Sequence, residues 1–395
     1  MGTGPRTGAL DGLRGLAALS VVAFHVWLYR PDRVPGTRTG LGDHFFFEMH
    51  LGLICFFVLS GFLLYRGLLR RPDFKPYAVR RIARIVPAYY VSIAGCLVLF
   101  AVLGLDDLIP PTSSLPLFLA FGQNYFSDTL MEINPVTWTL CVEAAFYLLL
   151  PLIGWCAWRV GPSRWGRQAL LVASLFPIGV VWNQIAHDNG WNIILTKMLP
   201  PFLPYFACGM LLALWSERRR SLGLGALGRW VSVALVLGGF VVVAGDAYWH
   251  ETGGPRAANA PLAVFADIPA AAGFALVVCA AVAGSGWSVR WMRVRPLAWV
   301  GLVSYGVYMW HLPILLFMRR MDVWPSEFPA RGLLLLAATL PVAALSWYVV
   351  ERPLIEWAGR PRRRERERER EPERAAKPRA ARPSREPAFE SHAAP

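Results

Sequence analysis

Ten apolar blocks of about 20 residues divide this chain, and no other feature limits its fold as much. A helix rises ~1.5 Å per residue, so ~20 residues cross the ~30 Å of a bilayer's hydrocarbon. The blocks fall at roughly 9–29, 45–67, 84–105, 136–158, 168–184, 198–216, 230–246, 262–284, 297–318 and 331–351. The chain therefore reads as an all-α polytopic membrane protein with about ten transmembrane helices. Composition agrees, because 55% of the residues are hydrophobic and only 17% charged, less charge than a soluble domain carries. The segment 109–126 is amphipathic at best and Pro-flanked. It is expected to be an external loop or a re-entrant piece.

The formal net charge of +14 has a topological reading. Lys and Arg sit in short connectors, and the connectors alternate sides. Arg6 and the flanks at 66–84, 159–167, 218–229 and 290–295 hold eighteen of them, whereas the opposite flanks hold eight. The richer side faces the cytoplasm, which puts both termini inside and requires an even number of spans. With the basic residues so placed, nucleic acid is not expected as a partner. The six cysteines, at 55, 96, 141, 156, 208 and 279, lie in apolar runs with no CxxC pair. They read as small core residues, with no disulfide or metal framework. The first block lacks a small-residue cleavage site and reads as a retained helix. No long internal repeat is visible. Residues 1–358 form the expected transmembrane domain. Residues 359–395, with Arg and Glu alternating from Arg364 to Glu371, read as a solvated, disordered cytoplasmic tail.

Ionisable groups inside spans are costly and point to function. The first span carries Asp11, Arg14 and His25. Eleven residues are close to three helical turns, so Arg14 and His25 share a face ~16 Å apart along the axis, with Asp11 beside Arg14. Glu143 in the fourth span lies ~10 Å from the outer end, and His25 ~6 Å. A buried carboxylate needs a partner, and an imidazole at matching depth is a candidate. In the ninth span Ser304, Tyr308 and His311 share a face, with His311 ~20 Å from the cytoplasmic side. His311, two residues before Pro313, reads as structural before chemical. At the start of the third span, Arg80, Arg81 and Arg84 form a basic cluster. Arg81 and Arg84 share a face, a guanidinium pair suits phosphate, and a helix N-terminus would add free N–H groups. Positive-inside anchoring is the plainer account of a generic Arg cluster, but nearness to the Arg14 end of the polar stripe favours phosphate binding here. Ser60 and Gly61 in the second span allow either a close helix approach or ligand contact.

These residues resemble the acyltransferase-3 family of bacterial membrane acyltransferases over roughly residues 8 to 354. The resemblance rests on six motifs in order: Leu10-Asp-Gly-Leu-Arg-Gly-Leu-Ala17 with His25; Phe56-Phe-Val-Leu-Ser-Gly-Phe62; Arg80-Arg81-x-x-Arg84-Ile-Val-Pro87; Trp138-Thr-Leu-x-x-Glu143-x-x-Phe146-Tyr147; Tyr305-x-x-Tyr308-x-x-His311-x-Pro313; and Glu351-Arg-Pro353. Thr139 replaces the commoner Ser of the fourth motif. Each motif is weak alone, and six in order are specific. The resemblance implies transfer of an acyl group, often acetyl, from acyl-CoA as co-substrate to a hydroxyl of a glycan, lipid or macrolide-like metabolite at the bacterial cell membrane. No bound cofactor or metal is expected. It implies His25 and Glu143 as the catalytic pair, and Arg14, Arg81, Arg84 and Arg80 as donor-binding residues. Asp11, Ser60, Trp138, Tyr305, Tyr308 and His311 are expected to support them. The chain's end soon after the last span implies the stand-alone type, without a fused extracytoplasmic domain. On the residues alone, a proton-coupled secondary transporter is the rival reading, since buried Arg, His and Glu also serve proton relays. The missing repeat argues against it.

Overall fold

The computed structural model describes residues 7–31, 40–70, 73–105, 108–161, 163–251, 263–265 and 267–359. The charged tail, from residue 360 onward, lies outside the described residues. Each of the ten apolar blocks becomes helix, and the described residues contain no strand. The first is α1 (Thr7–Leu28). A short α2 (Leu41–Glu48) leads into α3 (Gly52–Arg70), and α4 (Phe74–Val102) follows. After the small α5 (Leu115–Leu119) come α6 (Trp138–Val160), then α7 (Trp165–Ala173) and α8 (Leu175–Asp188), which make one block between them. The little α9 (Ile193–Lys197) precedes α10 (Leu203–Ser221), α11 (Arg229–Glu251) and α12 (Ile268–Ala283). The ninth block is divided into α13 (Arg295–Leu302) and α14 (Ser304–Arg320), and the last is α15 (Phe328–Leu345), running into a π-helical turn, Ser346–Glu351.

Seven of these segments are long and apolar enough to cross a membrane singly, and the α13–α14 pair, bent by 73°, makes an eighth. The other two expected spans are α10 and α12. α12 has 16 residues and so rises only ~24 Å. α10 is buried without interruption from Leu203 to Met210. A helix apolar on all sides belongs in a protein interior, and α10 forms the central post against which α3 packs. Gly61 of α3 lies against the Phe206 carbonyl, and Gly209 of α10 against the Val58 carbonyl. A Cβ at either site would fall 2.2 or 2.0 Å from those oxygens. Gly61 of the Ser60-Gly61 pair thus gives the close approach, and the Ser60 hydroxyl turns to Glu143.

The basic stretch before the third block is helical too. α4 begins at Phe74, ten residues before the expected start at 84, because Arg and Lys are good helix formers once outside hydrocarbon. Arg81 and Arg84 therefore sit seven and ten residues inside the helix. The free N–H groups of the first turn are not theirs, and the expected help from a helix N-terminus is withdrawn.

Prolines inside helices organise the packing. Pro313 in α14 donates no N–H, which frees the Met309 carbonyl one turn back. The Asn134 side chain donates to that carbonyl at 2.8 Å and also reaches Ser92 Oγ at 3.2 Å. Pro151 in α6 likewise frees the Tyr147 carbonyl, and Tyr77 OH of α4 points at it from 3.4 Å. The segment 109–126 folds inward at this level. Tyr89 OH donates to the Phe118 carbonyl at 2.9 Å, and buried Gln123 reaches Tyr89 OH and Thr137 Oγ1, both at 3.2 Å. Asn134→Leu removes the donor and keeps the volume. It is expected to cost about 1–3 kcal/mol, the usual penalty for an orphaned buried carbonyl, read as a lowered thermal midpoint in detergent. An unchanged midpoint would mean that water takes over the carbonyl.

The six cysteines are all free, and five are buried, as expected for core residues.

Candidate active site

Two compartments meet in the bundle. An inner slot of about 80 Å³ is bordered by Arg14, Ser60, Arg81, Arg84, Glu143 and Tyr147, among others. An outer chamber of about 750 Å³ is bordered by His25, His50, Trp138, Lys197, Phe202 and Tyr205, among others. Leu53 and Tyr308 border both. The slot holds a few water-sized groups or a thin chain, whereas the chamber holds a ligand of several hundred Å³.

In the slot, both oxygens of Glu143 accept hydrogen bonds. Ser60 Oγ donates to Oε1 at 2.9 Å and Tyr147 OH to Oε2 at 2.7 Å. Tyr147 lies one turn after Glu143 on α6, so the bond is local and fixes the carboxylate's rotamer. Arg14 approaches Asp11 at 4.0 Å and stands within electrostatic range of Arg81 and Arg84. Neither Arg81 nor Arg84 makes a hydrogen bond or ion pair with the described residues. Two half-buried guanidiniums stand here beside a third, with the carboxylates of Asp11, Glu143 and Glu351 within electrostatic range of one or another of them. Arg80 does not border the slot. It stands one residue, ~100° of helix, before Arg81, and is turned away from its expected partners.

The described residues do not join His25 to Glu143. The nearest partners of His25 Nδ1 are the Val21 carbonyl at 2.9 Å and His311 Nε2 at 3.2 Å. α1 packs beside α13, α3 and α14 and turns His25 toward α14. The expected contact between imidazole and carboxylate is thus corrected: the partner is His311, wholly buried, whose Nδ1 is 3.0 Å from the Val307 carbonyl.

The wall between the compartments is held by the ninth-block tyrosines. Tyr308 OH lies 2.8 Å from Thr139 Oγ1 and 3.1 Å from the Val136 carbonyl, so a threonine fills the hydroxyl position of the Trp138-Thr-Leu motif. Tyr305 OH donates to the Ile85 carbonyl at 3.0 Å, tying α14 to the arginine-bearing helix. Trp138 faces the chamber, with Lys197 Nζ 3.9 Å above its ring. Burial pushes the Lys197 ammonium down to about 8, against the pull of Asp267.

A family model described as an acyltransferase domain matches residues 7–348. The chain belongs to this acyltransferase family. Among its relatives is a Bacillus subtilis protein provisionally named peptidoglycan O-acetyltransferase YrhL, 24% identical over 366 residues, covering 87% of this chain and 54% of that protein. Nodulation protein 10 of Rhizobium leguminosarum bv. viciae is 27% identical over 366 residues, covering 88% of this chain and 92% of that one. O-acetyltransferase OatA of Staphylococcus aureus is 26% identical over 375 residues, covering 87% and 56%. The chain spans about half the length of YrhL and OatA. No solved structure matches it.

Three residues of this acyltransferase escaped the sequence reading as site residues. Tyr147 and Lys197 looked like a helix aromatic and a loop cation. Glu351, buried in the π turn with Ser346 Oγ 3.3 Å from Oε1 and no partner for Oε2 among the described residues, lies within electrostatic range of Arg84. Its Glu-Arg-Pro motif was visible, but the side it faces was not. Its neighbour Arg352 points out to pair with Glu356 at 2.9 Å.

Proposed function

We propose that this chain is a membrane O-acyltransferase that moves an acyl group, acetyl in the simplest case, from acyl-CoA to a hydroxyl of a glycan. The observation that carries the reading is the meeting of two unlike compartments at Tyr308. One holds guanidiniums that lack acceptors among the described residues, and the other holds an imidazole nitrogen that has no partner among them. Acyl-CoA has the matching polarity. Its phosphates seek cations, and its thin pantetheine arm suits a slot too narrow for a nucleotide. In this reading Arg81, Arg84 and Arg14 hold the phosphates from the cytoplasmic side, and the thioester reaches the Tyr308 boundary. Glu143, fixed by Ser60 and Tyr147, offsets the positive charge of the slot and orders its wall. The acceptor lies in the chamber, where Trp138, Phe202 and Tyr205 offer aromatic faces. A glycan is favoured because relatives are named as O-acetyltransferases, one of them for peptidoglycan.

His25 Nε2 takes the proton of the acceptor hydroxyl as the oxygen attacks the thioester carbonyl. The tetrahedral intermediate collapses with loss of the C–S bond, and the imidazolium returns the proton to the departing thiolate. The products are an O-acyl ester and free CoA. The test is purified protein in liposomes, given radiolabelled acetyl-CoA and peptidoglycan fragments. Label on the acceptor supports the reading. Label that stays on the donor overturns it, and acceptor-free flux across the vesicles would favour a transporter. Arg81→Ala and Arg84→Ala are each expected to raise the Kd for acyl-CoA about 10- to 100-fold, the worth of a charge-assisted hydrogen bond, with kcat at saturation changing less. Unchanged donor affinity in both variants would return the cluster to membrane anchoring.

A further inference from the structure

The histidines of α1 and α14 hold each other's protons in place. Their ring centroids are 4.9 Å apart, with planes inclined by 60°, and His311 Nε2 lies 3.2 Å from His25 Nδ1. Hydrogens are not seen, but carbonyls settle where they belong. The Val307 carbonyl, 3.0 Å from His311 Nδ1, only accepts, so that nitrogen carries the N–H. A neutral imidazole protonated at Nδ1 has its lone pair at Nε2. That lone pair faces His25 Nδ1, which must then be a donor. The Val21 carbonyl, 2.9 Å from the same His25 Nδ1, makes the same demand independently. His25 is left with its lone pair at Nε2, which makes no hydrogen bond with the described residues, on a side chain that borders the chamber.

We propose that His311 is the positioning residue for His25: it fixes the Nδ1–H tautomer, aims Nε2 at the acceptor, and takes up part of the positive charge formed when Nε2 is protonated. This rests on the reading of His25 as general base. The role is that of the carboxylate in a catalytic triad, performed by a neutral group. A neutral imidazole suits this place, because a carboxylate enclosed among Val22, Val307 and Leu312 would need further partners to offset its desolvation. His311 keeps its own proton throughout. Its lone pair strengthens its hold on the His25 Nδ1–H once the ring is charged. The Asn134 bond to the Met309 carbonyl, one turn before Pro313, holds this stretch of α14 in place.

The test pairs two substitutions with a spectroscopic readout. His311→Phe keeps a ring and removes the acceptor. His311→Gln places an amide oxygen near the position of Nε2. In folded protein, His311→Phe is expected to lower kcat about 10- to 100-fold, less than the ~10⁴ that loss of a triad carboxylate costs. KM for acyl-CoA should be unchanged, and His311→Gln should recover most of kcat. Equal impairment of both variants, or wild-type kcat in His311→Phe, overturns the proposal. ¹⁵N NMR of histidine-labelled wild-type protein tests the tautomer that the proposal requires even if a variant fails to fold, with the His25 signals identified by their absence from His25→Ala. Protonated Nδ1 and bare Nε2 on His25 support it, and the reverse tautomer overturns it. That readout needs no turnover. Absence of acyl-CoA activity in the wild type would count against the proposed reaction, and the tautomer would be judged on its own.

Discussion

Replacing His25 with alanine is expected to lower acyl transfer about 10²–10⁴-fold, the range for losing a general base, while acyl-CoA still binds with unchanged affinity. The two halves of this expectation come from separate places. The imidazole borders the outer chamber, whereas the guanidiniums proposed for donor phosphates border the inner slot. Only Leu53 and Tyr308 are common to both, so a truncation at residue 25 leaves the slot intact. The fold should survive as well. His25 is half-buried at the chamber wall, and its contacts are the Val21 carbonyl in its own helix, His311, and the neighbouring rings of Phe24 and Tyr29. Single-turnover transfer and donor titration on the same purified variant make the check. A folded His25→Ala protein with normal turnover would move the base elsewhere, and loss of donor affinity would mean that the two compartments are one site.

Glu143 bears on what a sequence can carry. Position along a span is legible, because it follows from rise per residue: His25 lies in the last turn of α1 and Glu143 in the second turn of α6. The direction a side chain faces within the bundle is not legible, since it depends on which helices are neighbours. α1 is flanked by α13, α3 and α14, and so His25 meets His311. Glu143 turns to Ser60 of α3, a residue already suspected for another reason. Likewise, three arginines in five residues announce a basic cluster, but only the register of α4 separates Arg81 and Arg84 from Arg80. The ten blocks were readable because burial in lipid demands continuous apolar length. The inward fold of 109–126 was not, because its anchors are polar contacts, Gln123 with Tyr89, Asn124 with the Lys197 carbonyl and Tyr89 with the Phe118 carbonyl, whose partners are far apart in the chain. The prolines are intermediate: each announces a freed carbonyl, and the structure supplies the donor that claims it.

Gly301→Val is expected to abolish folded protein, and the reason lies in the first motif. α1 and α13 touch backbone to backbone. A Cβ at Gly301 would stand 1.6 Å from the Asp11 carbonyl oxygen and 2.4 Å from its carbon. One at Gly12 would stand 1.8 Å from the Met292 oxygen, and one at Gly15 would stand 2.3 Å from that of Leu297. The glycines of Asp11-Gly-Leu-Arg-Gly15 are thus there for contact rather than for backbone freedom. A side chain struck by a new methyl group can rotate away, but a carbonyl inside a helix can move only with its helix. Overpacking of yielding cores costs about 1–3 kcal/mol; three neighbouring contacts of this rigidity put Gly301→Val above that range. Separation of α1 from α13 also displaces Arg14, which lies between Gly12 and Gly15, from the slot it shares with Arg81 and Arg84. Gly67→Ala in α3 is the matched control. A Cβ there meets nothing within 4 Å, and Gly→Ala inside an exposed helix gains about 0.5–1 kcal/mol. Yield of monodisperse protein and thermal midpoint in one detergent should therefore move in opposite directions for the two glycines. A well-folded Gly301→Val protein with a wild-type midpoint would show that the two helices are not in backbone contact.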